Sequence, residues 1–295
     1  MSEELSREIL KLIDRLEYLP SIRSLRHLSG RHLSPLKGHS PEFKEYRNYS
    51  QSEDYRLIDW KASAKQENLL VQVKDHQGIH EHWLVPDLSG SMLFPKDKDQ
   101  TSKFHSQLLL CGALIYLLHA QGDKVGLGLA QQIQPELIEP MRRTEGLQQM
   151  ISLLADQENN NSQNFQTTLD LLLKNLKRPS VLWLMTDFDQ EPEPLLELIK
   201  EATNQGHDVK LIHWMHPDEK NIPYQGEVEF NDLEKKIEIL KLYPEDLQKA
   251  YRETYQQHCD YIQKTCEPLQ HLHYHYIDIT TPIESWLIQT LRQTS

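Results

Sequence analysis

Cysteine and long hydrophobic runs are scarce in this sequence of 295 residues. Its three cysteines form no Cys-x-x-Cys pair, which argues against a disulfide framework and favours a reducing compartment. No apolar run approaches the roughly 20 residues that a membrane-spanning helix needs. The charged N-terminus also lacks the apolar centre of a secretory signal. We therefore expect a cytoplasmic protein without a membrane span.

Positive charge is also in deficit, with 32 lysines and arginines against 44 aspartates and glutamates. The formal net charge of -12 repels a phosphate backbone, so we expect no nucleic acid partner. Hydrophobic residues make up 38% of the chain and charged residues 26%, a balance typical of a globular protein with a substantial core. The length allows one large domain or two small ones.

The hydrophobic pattern divides the chain into two predicted parts, residues 1–79 and 80–295. In the first part, apolar residues at helical spacing predict an amphipathic helix at 4–17. Weak periodicity then predicts extended or irregular structure up to a strand at 69–74. In the second part strands alternate with helices, which is typical of an α/β fold with a doubly wound, mostly parallel, Rossmann-like sheet.

Six strands and six helices are predicted in the second part. The strands lie at 82–86, 125–130, 137–141, 181–185, 209–215 and 273–279. The helices lie at 103–119, 144–155, 168–176, 194–204, 245–266 and 283–291. The second and third strands are close enough in sequence to be antiparallel neighbours. Ligands of such sheets bind at the carboxyl ends of the strands, near the point where the strand order reverses.

A short acidic and hydroxyl motif lies at such a carboxyl end. Asp87, Ser89 and Ser91 directly follow an apolar strand, so one carboxylate and two hydroxyls surround a single turn. Hard oxygen ligands of this kind suit Mg²⁺ or Mn²⁺. The motif is short, and a turn that only caps the next helix would look the same.

Two more segments bring oxygen ligands to the same predicted edge of the sheet. Thr167 and Thr168 open a predicted helix after a long loop, and Asp187 follows the most apolar strand. Convergence of three loops on one crevice is much less expected by chance than the serine turn alone. The pattern therefore favours a metal site over a simple capping turn.

This set resembles the metal-ion-dependent adhesion site of von Willebrand factor A domains, over residues from about 80 to 295. The resemblance implies that Ser89 and Ser91 bind the metal directly through their hydroxyls. It implies that Thr167 binds directly or nearly so, and that Asp87 and Asp187 act largely through bound water. Thr167 is preferred to its neighbour because it matches the family pattern Thr-x-Leu-x-x-x-Leu.

The N-terminal part resembles the DUF58 family, whose members carry a signature directly upstream of an A-type domain. The signature is seen at 38–43, 47–49 and 53–65, and the last segment contains Arg-x-x-Asp-Trp. Members typically accompany MoxR-type AAA+ ATPases, so the resemblance implies a role as adaptor or co-chaperone of such an ATPase. We interpret the signature's Arg47, Arg56, Asp59 and Trp60 as an internal ion-pair and packing motif.

This sequence departs from the DUF58 pattern at three positions. Pro41 stands where a glycine is usual, Ser52 replaces the glycine of a turn, and Pro86 lies in the strand before Asp87. These departures bear on local loop geometry and leave the predicted metal ligands in place.

We expect a metal-dependent protein-binding module rather than an enzyme. The sequence lacks a phosphatase Asp-x-Asp pair at residue 87, a Gly-x-Ser-x-Gly elbow and a phosphate-binding loop. Three alternatives remain. These are a scaffolding module with a non-functional metal site, a metal-assisted hydrolase that uses Asp187 and Asp189, and a zinc site at His271, His273 and His275.

Overall fold

The computed structural model describes the following residues: 7–12, 14–15, 41–48, 60–63, 69–76, 80–95, 101–131, 134–141, 144–156, 165–223, 228–231, 239–242, 244–285 and 287. They fall into two units. The smaller unit, within residues 28–79, contains strands β1 (Pro41–Asn48) and β2 (Leu70–His76) and the short helix α1 (Trp60–Ser63). β1 and β2 form an antiparallel pair with a register shift between Phe43 and Glu45.

The larger unit is built on a six-stranded sheet. Its strands are β3 (Glu81–Pro86), β4 (Lys124–Leu129), β5 (Glu136–Met141), β6 (Val181–Thr186), β7 (Asp208–Met215) and β10 (Leu272–Asp278), in the order β10-β7-β6-β3-β4-β5. All neighbouring strands are parallel except β4 and β5. The predicted doubly wound, mostly parallel sheet is confirmed, as is its antiparallel edge strand. β8 (Val228–Asn231) and β9 (Ile239–Leu242) form a separate antiparallel pair.

Helices connect the strands. They are α2 (Lys103–Gln121), α3 (Thr144–Asp156), α4 (Phe165–Asn175), α5 (Pro192–Asn204), α6 (Pro217–Asn221) and α7 (Pro244–Cys266). α2 ends at Gly122, whose φ of 88° is a left-handed conformation that glycine adopts without strain. α4 begins three residues earlier than predicted, because Phe165 is buried in the core and anchors the first turn.

Alternate residues of each central strand face opposite layers of helices. Val85, Leu184 and Leu211 lie on the face that packs against α4, α5 and α7. Met185 lies on the other face, where its sulfur is 3.5 Å from the Cys111 sulfur of α2. Both faces are therefore covered, which explains why the central strands are continuously apolar.

The helical residues 7–12 and 14–15 belong with the larger unit rather than with residues 28–79. Ile9 is fully buried, and a Cβ added at Gly112 of α2 would lie 2.6 Å from its Cγ2. The Glu8 carboxylate lies 2.7 Å from the His105 ring. The larger unit thus contains residues 1–27 and 80–293, and our division of the chain at residue 79 stays a prediction. Within the described ranges, no helix combines the length and hydropathy needed to cross a bilayer.

Candidate metal centre

The candidate site lies at the topological switch point of the sheet. The chain proceeds from β3 to β4 and β5 on one side, and from β6 to β7 and β10 on the other. β3 and β6 are therefore neighbours whose next connections run in opposite directions, with Pro86 beside Met185 in the register. Asp87 and Asp187 each follow one of these strands, so both emerge at the crevice where α/β sheets bind ligands.

Asp87 is fixed through both its backbone and its side chain. The side chain of Gln107 in α2 donates to the Asp87 carbonyl at 2.7 Å and accepts from its N–H at 3.2 Å. The Thr186 hydroxyl donates to Oδ2 of Asp87 at 2.7 Å, and the Ser89 N–H donates to Oδ1 at 3.0 Å. Both oxygens of this buried carboxylate thus accept a hydrogen bond, and its orientation is set before any ligand arrives.

The two serine hydroxyls lie beside each other. Ser89 Oγ and Ser91 Oγ are 3.0 Å apart, at the start of a 3₁₀ turn spanning Gly90–Leu93. The Ser91 hydroxyl also donates to the Asp187 carboxylate. Adjacent ligands of an octahedral Mg²⁺ at about 2.1 Å are themselves about 3.0 Å apart. The spacing of the hydroxyls therefore matches one edge of such an octahedron.

A buried lysine lies next to Asp187. The Lys103 ammonium, at the start of α2, donates to Asp187 Oδ2 at 2.6 Å and also to Glu219 of α6. The Lys103 side chain is only 2% exposed and that of Asp187 only 4%. The carboxylates of Asp87, Asp187 and Glu219 and the ammonium of Lys103 thus carry a net charge of two negative units at this edge of the sheet.

Burial and the neighbouring charges shift the pKa values of these groups. Burial, together with the nearby Asp187, raises the pKa of Asp87 to about 6. Burial acts in the same direction on Asp187, but the Lys103 ammonium outweighs it and holds the pKa of Asp187 below its ordinary value. Burial would lower the pKa of Lys103, but the carboxylates of Asp187 and Glu219 raise it. The hard oxygen ligands, their spacing and the uncompensated charge all fit a divalent cation such as Mg²⁺.

The loop after β6 is held from behind by histidines of β7 and α7. Phe188 has a φ of 54°, a left-handed conformation that is unusual for a bulky residue. His258 donates to its carbonyl at 3.1 Å. His213 bonds to the Asp187 carbonyl with one ring nitrogen and lies 2.8 Å from the Tyr274 hydroxyl with the other. Burial lowers the pKa of His213 to about 3, so this ring is neutral and its contacts do not titrate near neutrality.

The structure brings four of the five predicted ligands together and places Thr167 elsewhere. Asp87, Ser89, Ser91 and Asp187 line one depression, whereas exposed Thr167 lines a separate one beside α5. Thr168 is fully buried, and its methyl group packs near Gly128 of β4. Thr167 does not line the depression that contains the other four residues, and its role as a ligand stays a prediction.

The histidines of β10 have other surroundings. His273 lies 3.4 Å from the Asp208 carboxylate, while His275 is buried, with a pKa lowered to about 4 by burial and by nearby Lys210 and His273. Across the part of the chain that the structure describes, no three His, Cys, Asp or Glu side chains are grouped to hold a metal. A zinc site at His271, His273 and His275 therefore has no ligand cluster there, and the candidate centre depends on its serine hydroxyls.

Four contributors to the site were missed in the sequence: Gln107, Thr186, Lys103 and Glu219. The position of Lys103 in the sequence is one indication of its role. Lys103 is the first residue of α2, where a cation opposes the helix dipole, and that helix has no acidic residue in its first turn. A lysine in such a position is a candidate for pairing with distant carboxylates. Thr186 and Gln107 lie in apolar elements and carry no comparable signal.

The larger unit has a von Willebrand factor A-like α/β fold, with the serine turn at the carboxyl edge of its mostly parallel sheet. A model of the family described as "Protein of unknown function DUF58" matches residues 45–263, and the chain belongs to that family. In a sequence comparison, no curated protein matches the chain.

Several solved structures are similar at low identity. BatB from Bacteroides thetaiotaomicron is 13% identical with a TM-score of 0.45, over 73% of this chain and 98% of that one. An aerotolerance-related membrane protein from Bacteroides fragilis is 14% identical with a TM-score of 0.47, over 72% and 99%. The SpRpn10 VWA domain is 12% identical with a TM-score of 0.41, over 74% and 95%. Similarities this distant support no inference about function.

Proposed function

We propose that this protein is a metal-dependent protein-binding module, in which a divalent cation at the serine turn receives a carboxylate from a partner. The observation that carries the proposal is the convergence of Asp87, Ser89, Ser91 and Asp187 at one edge of the sheet. Together with Glu219 and Lys103, these residues carry a net charge of two negative units. Mg²⁺ is the expected ion because its ligands are oxygens at octahedral spacing.

The residues divide the work of holding this ion. Ser89 and Ser91 provide neutral hydroxyl ligands, while Asp87 and Asp187 provide negative charge from behind them. A cation bound mostly by neutral groups keeps positive charge and an open position, and therefore attracts an incoming Asp or Glu side chain. Gln107 and Thr186 keep Asp87 in place, so little ordering is needed when the ion binds.

The partner and location form the finer part of the proposal. Likeness to DUF58 relatives supports a MoxR-type AAA+ ATPase as the partner, with this chain as its adaptor or co-chaperone. A cytoplasmic location agrees with three cysteines that are all free, buried thiols. We propose binding rather than catalysis, because the sequence lacks a phosphatase Asp-x-Asp pair at residue 87, a Gly-x-Ser-x-Gly elbow and a phosphate-binding loop.

A second candidate is a scaffolding module that does not use its metal site. The placement of Thr167 in a separate depression favours this candidate, because one predicted ligand is then missing. Both candidates share the same fold and differ in whether the serine turn binds a cation. A direct binding measurement therefore separates them.

Isothermal titration with Mg²⁺ is the test. We expect wild type to bind with a measurable heat, and Ser89→Ala to bind roughly tenfold or more weakly because an inner ligand is lost. Ser180→Ala is the matched control, since Ser180 precedes β6 at the opposite end of that strand, about 20 Å away. Absence of heat with wild type would support the scaffolding candidate. Partner capture that is equal with and without EDTA would also count against metal-dependent binding.

A further inference from the structure

We propose that Lys103 sets the charge of the candidate centre, and thereby lowers the affinity of the centre for a trivalent cation relative to a divalent one. The inference rests on the proposed function, because it concerns the same ion. It adds a residue that lies outside the adhesion-site pattern and that reaches the site from the far side of Asp187.

The charge of Lys103 is stabilised in its position only by the carboxylates that it contacts. Its ammonium is buried and lies at the positive end of α2, so both burial and the helix dipole oppose its charge. Direct contact with Asp187 and Glu219 offsets these costs. The charge is therefore a fixed part of the site, unlike a surface lysine that moves freely in solvent.

Glu219 is also fixed, by the start of its own helix. Its Oε2 accepts from the His216 N–H at 3.0 Å, while its Oε1 accepts from Lys103. The His216 ring in turn accepts from the Asp218 N–H at 3.1 Å, which completes a capping box at α6. Neither Lys103 nor Glu219 lines the depression that contains the serine hydroxyls.

The charges determine which cation matches the site. With Lys103 present, the carboxylates of Asp87, Asp187 and Glu219 leave a net charge of two negative units. A divalent ion neutralises this set, whereas a trivalent ion leaves an excess positive charge. At an effective dielectric constant of about 20 and a separation of about 6 Å, one unit of protein charge changes the ratio of trivalent to divalent affinity on the order of 100-fold.

Paired charge changes test this assignment. Lys103→Met makes the site more negative by one unit, Glu219→Gln makes it less negative by one unit, and the double variant restores the original charge with both side chains altered. Each protein is titrated with Mg²⁺ and with Tb³⁺, the latter followed by sensitised luminescence. Circular dichroism and thermal melting show that each variant is folded.

We expect the ratio of Tb³⁺ to Mg²⁺ affinity to rise at least tenfold in Lys103→Met and to fall at least tenfold in Glu219→Gln. The double variant should return close to the wild-type ratio, which a purely structural role of Lys103 would not produce. If Lys103→Met does not fold, the double variant and Glu219→Gln still differ by the Lys103 charge and should differ in ratio.

Two failures are distinguishable. Ratios that are equal in all variants, with wild type binding Mg²⁺, would overturn the charge-setting role alone. No binding of either ion by wild type would overturn the proposed function and this inference together.

Discussion

Gln107→Glu is the sharpest perturbation of the scaffold behind the site. The wild-type side chain donates to the buried Asp87 carbonyl at 2.7 Å and accepts from the Asp87 N–H at 3.2 Å. An ionised carboxylate of the same shape can still accept but cannot donate, so two oxygens would face each other at this short distance. Loss of the bond to a buried carbonyl costs about 1–3 kcal/mol, and burial of the new charge adds to that cost.

The deficit should depend on pH in a defined direction. Burial beside a carbonyl raises the folded-state pKa of the introduced carboxyl above its unfolded value of about 4.3. The penalty is therefore fully present above the folded-state pKa and is relieved as the pH falls through it, because the protonated carboxyl donates to the carbonyl. We expect a loss of about 3 kcal/mol in the free energy of unfolding at pH 7.5, and about 1 kcal/mol at pH 5.

Urea unfolding followed by circular dichroism measures these values, each relative to wild type at the same pH. Gln107→Leu is the control, because it loses both hydrogen bonds without gaining a titratable group. Its deficit should be the same at both pH values. A pH-independent deficit in Gln107→Glu, or none at all, would refute the clamp on Asp87.

Two further predictions concern the packing of the larger unit. The pKa of buried His275 is lowered to about 4, so its contribution to stability is complete above about pH 6.5 and is lost as pH falls toward 4. Between pH 7.5 and pH 5, the free energy of unfolding should therefore fall by about 2 kcal/mol less in His275→Leu than in wild type, as measured by urea unfolding. An equal fall in both proteins would contradict this. Gly112→Ala should destabilise wild type, because the new methyl meets Ile9 at 2.6 Å, but should stabilise Ile9→Ala by about 1 kcal/mol through helix propensity. The same sign in both backgrounds would show that Ile9 does not pack on Gly112.

The sheet and the positions of the two aspartates in the site could be predicted because they depend on local sequence patterns. Apolar runs of strand length alternate with helical periodicity, and this alternation predicts a parallel sheet with a crevice at its carboxyl edge. Asp87 and Asp187 directly follow two such runs. Their placement at the switch point therefore followed from strand boundaries that are accurate to one residue.

The threonine contribution could not be decided in the same way. Successive residues of a helix point about 100° apart, so a choice between Thr167 and Thr168 needs the start and tilt of the helix. α4 starts at Phe165 rather than at 168, which turns Thr168 toward β4 and leaves Thr167 exposed. A ligand on a helix is thus harder to predict than one at the end of a strand.

The lysine bridge was out of reach for a different reason. Lys103 and Glu219 are 116 residues apart in sequence, and the pairing exists only once α2 and α6 meet at one edge of the sheet. A lysine at a helix start is ordinarily a solvated surface residue. The conflict of its charge with the helix dipole was the one local indication of another role.

The account depends on a divalent cation bound by the serine turn, and diffraction from crystals soaked in Mn²⁺ tests this most directly. An anomalous difference peak about 2.2 Å from both Ser89 Oγ and Ser91 Oγ is predicted, with Lys103 still in contact with Asp187. Soaked crystals that show no anomalous peak at the serine turn would contradict the account. A peak there with Lys103 no longer in contact with Asp187 would also contradict it.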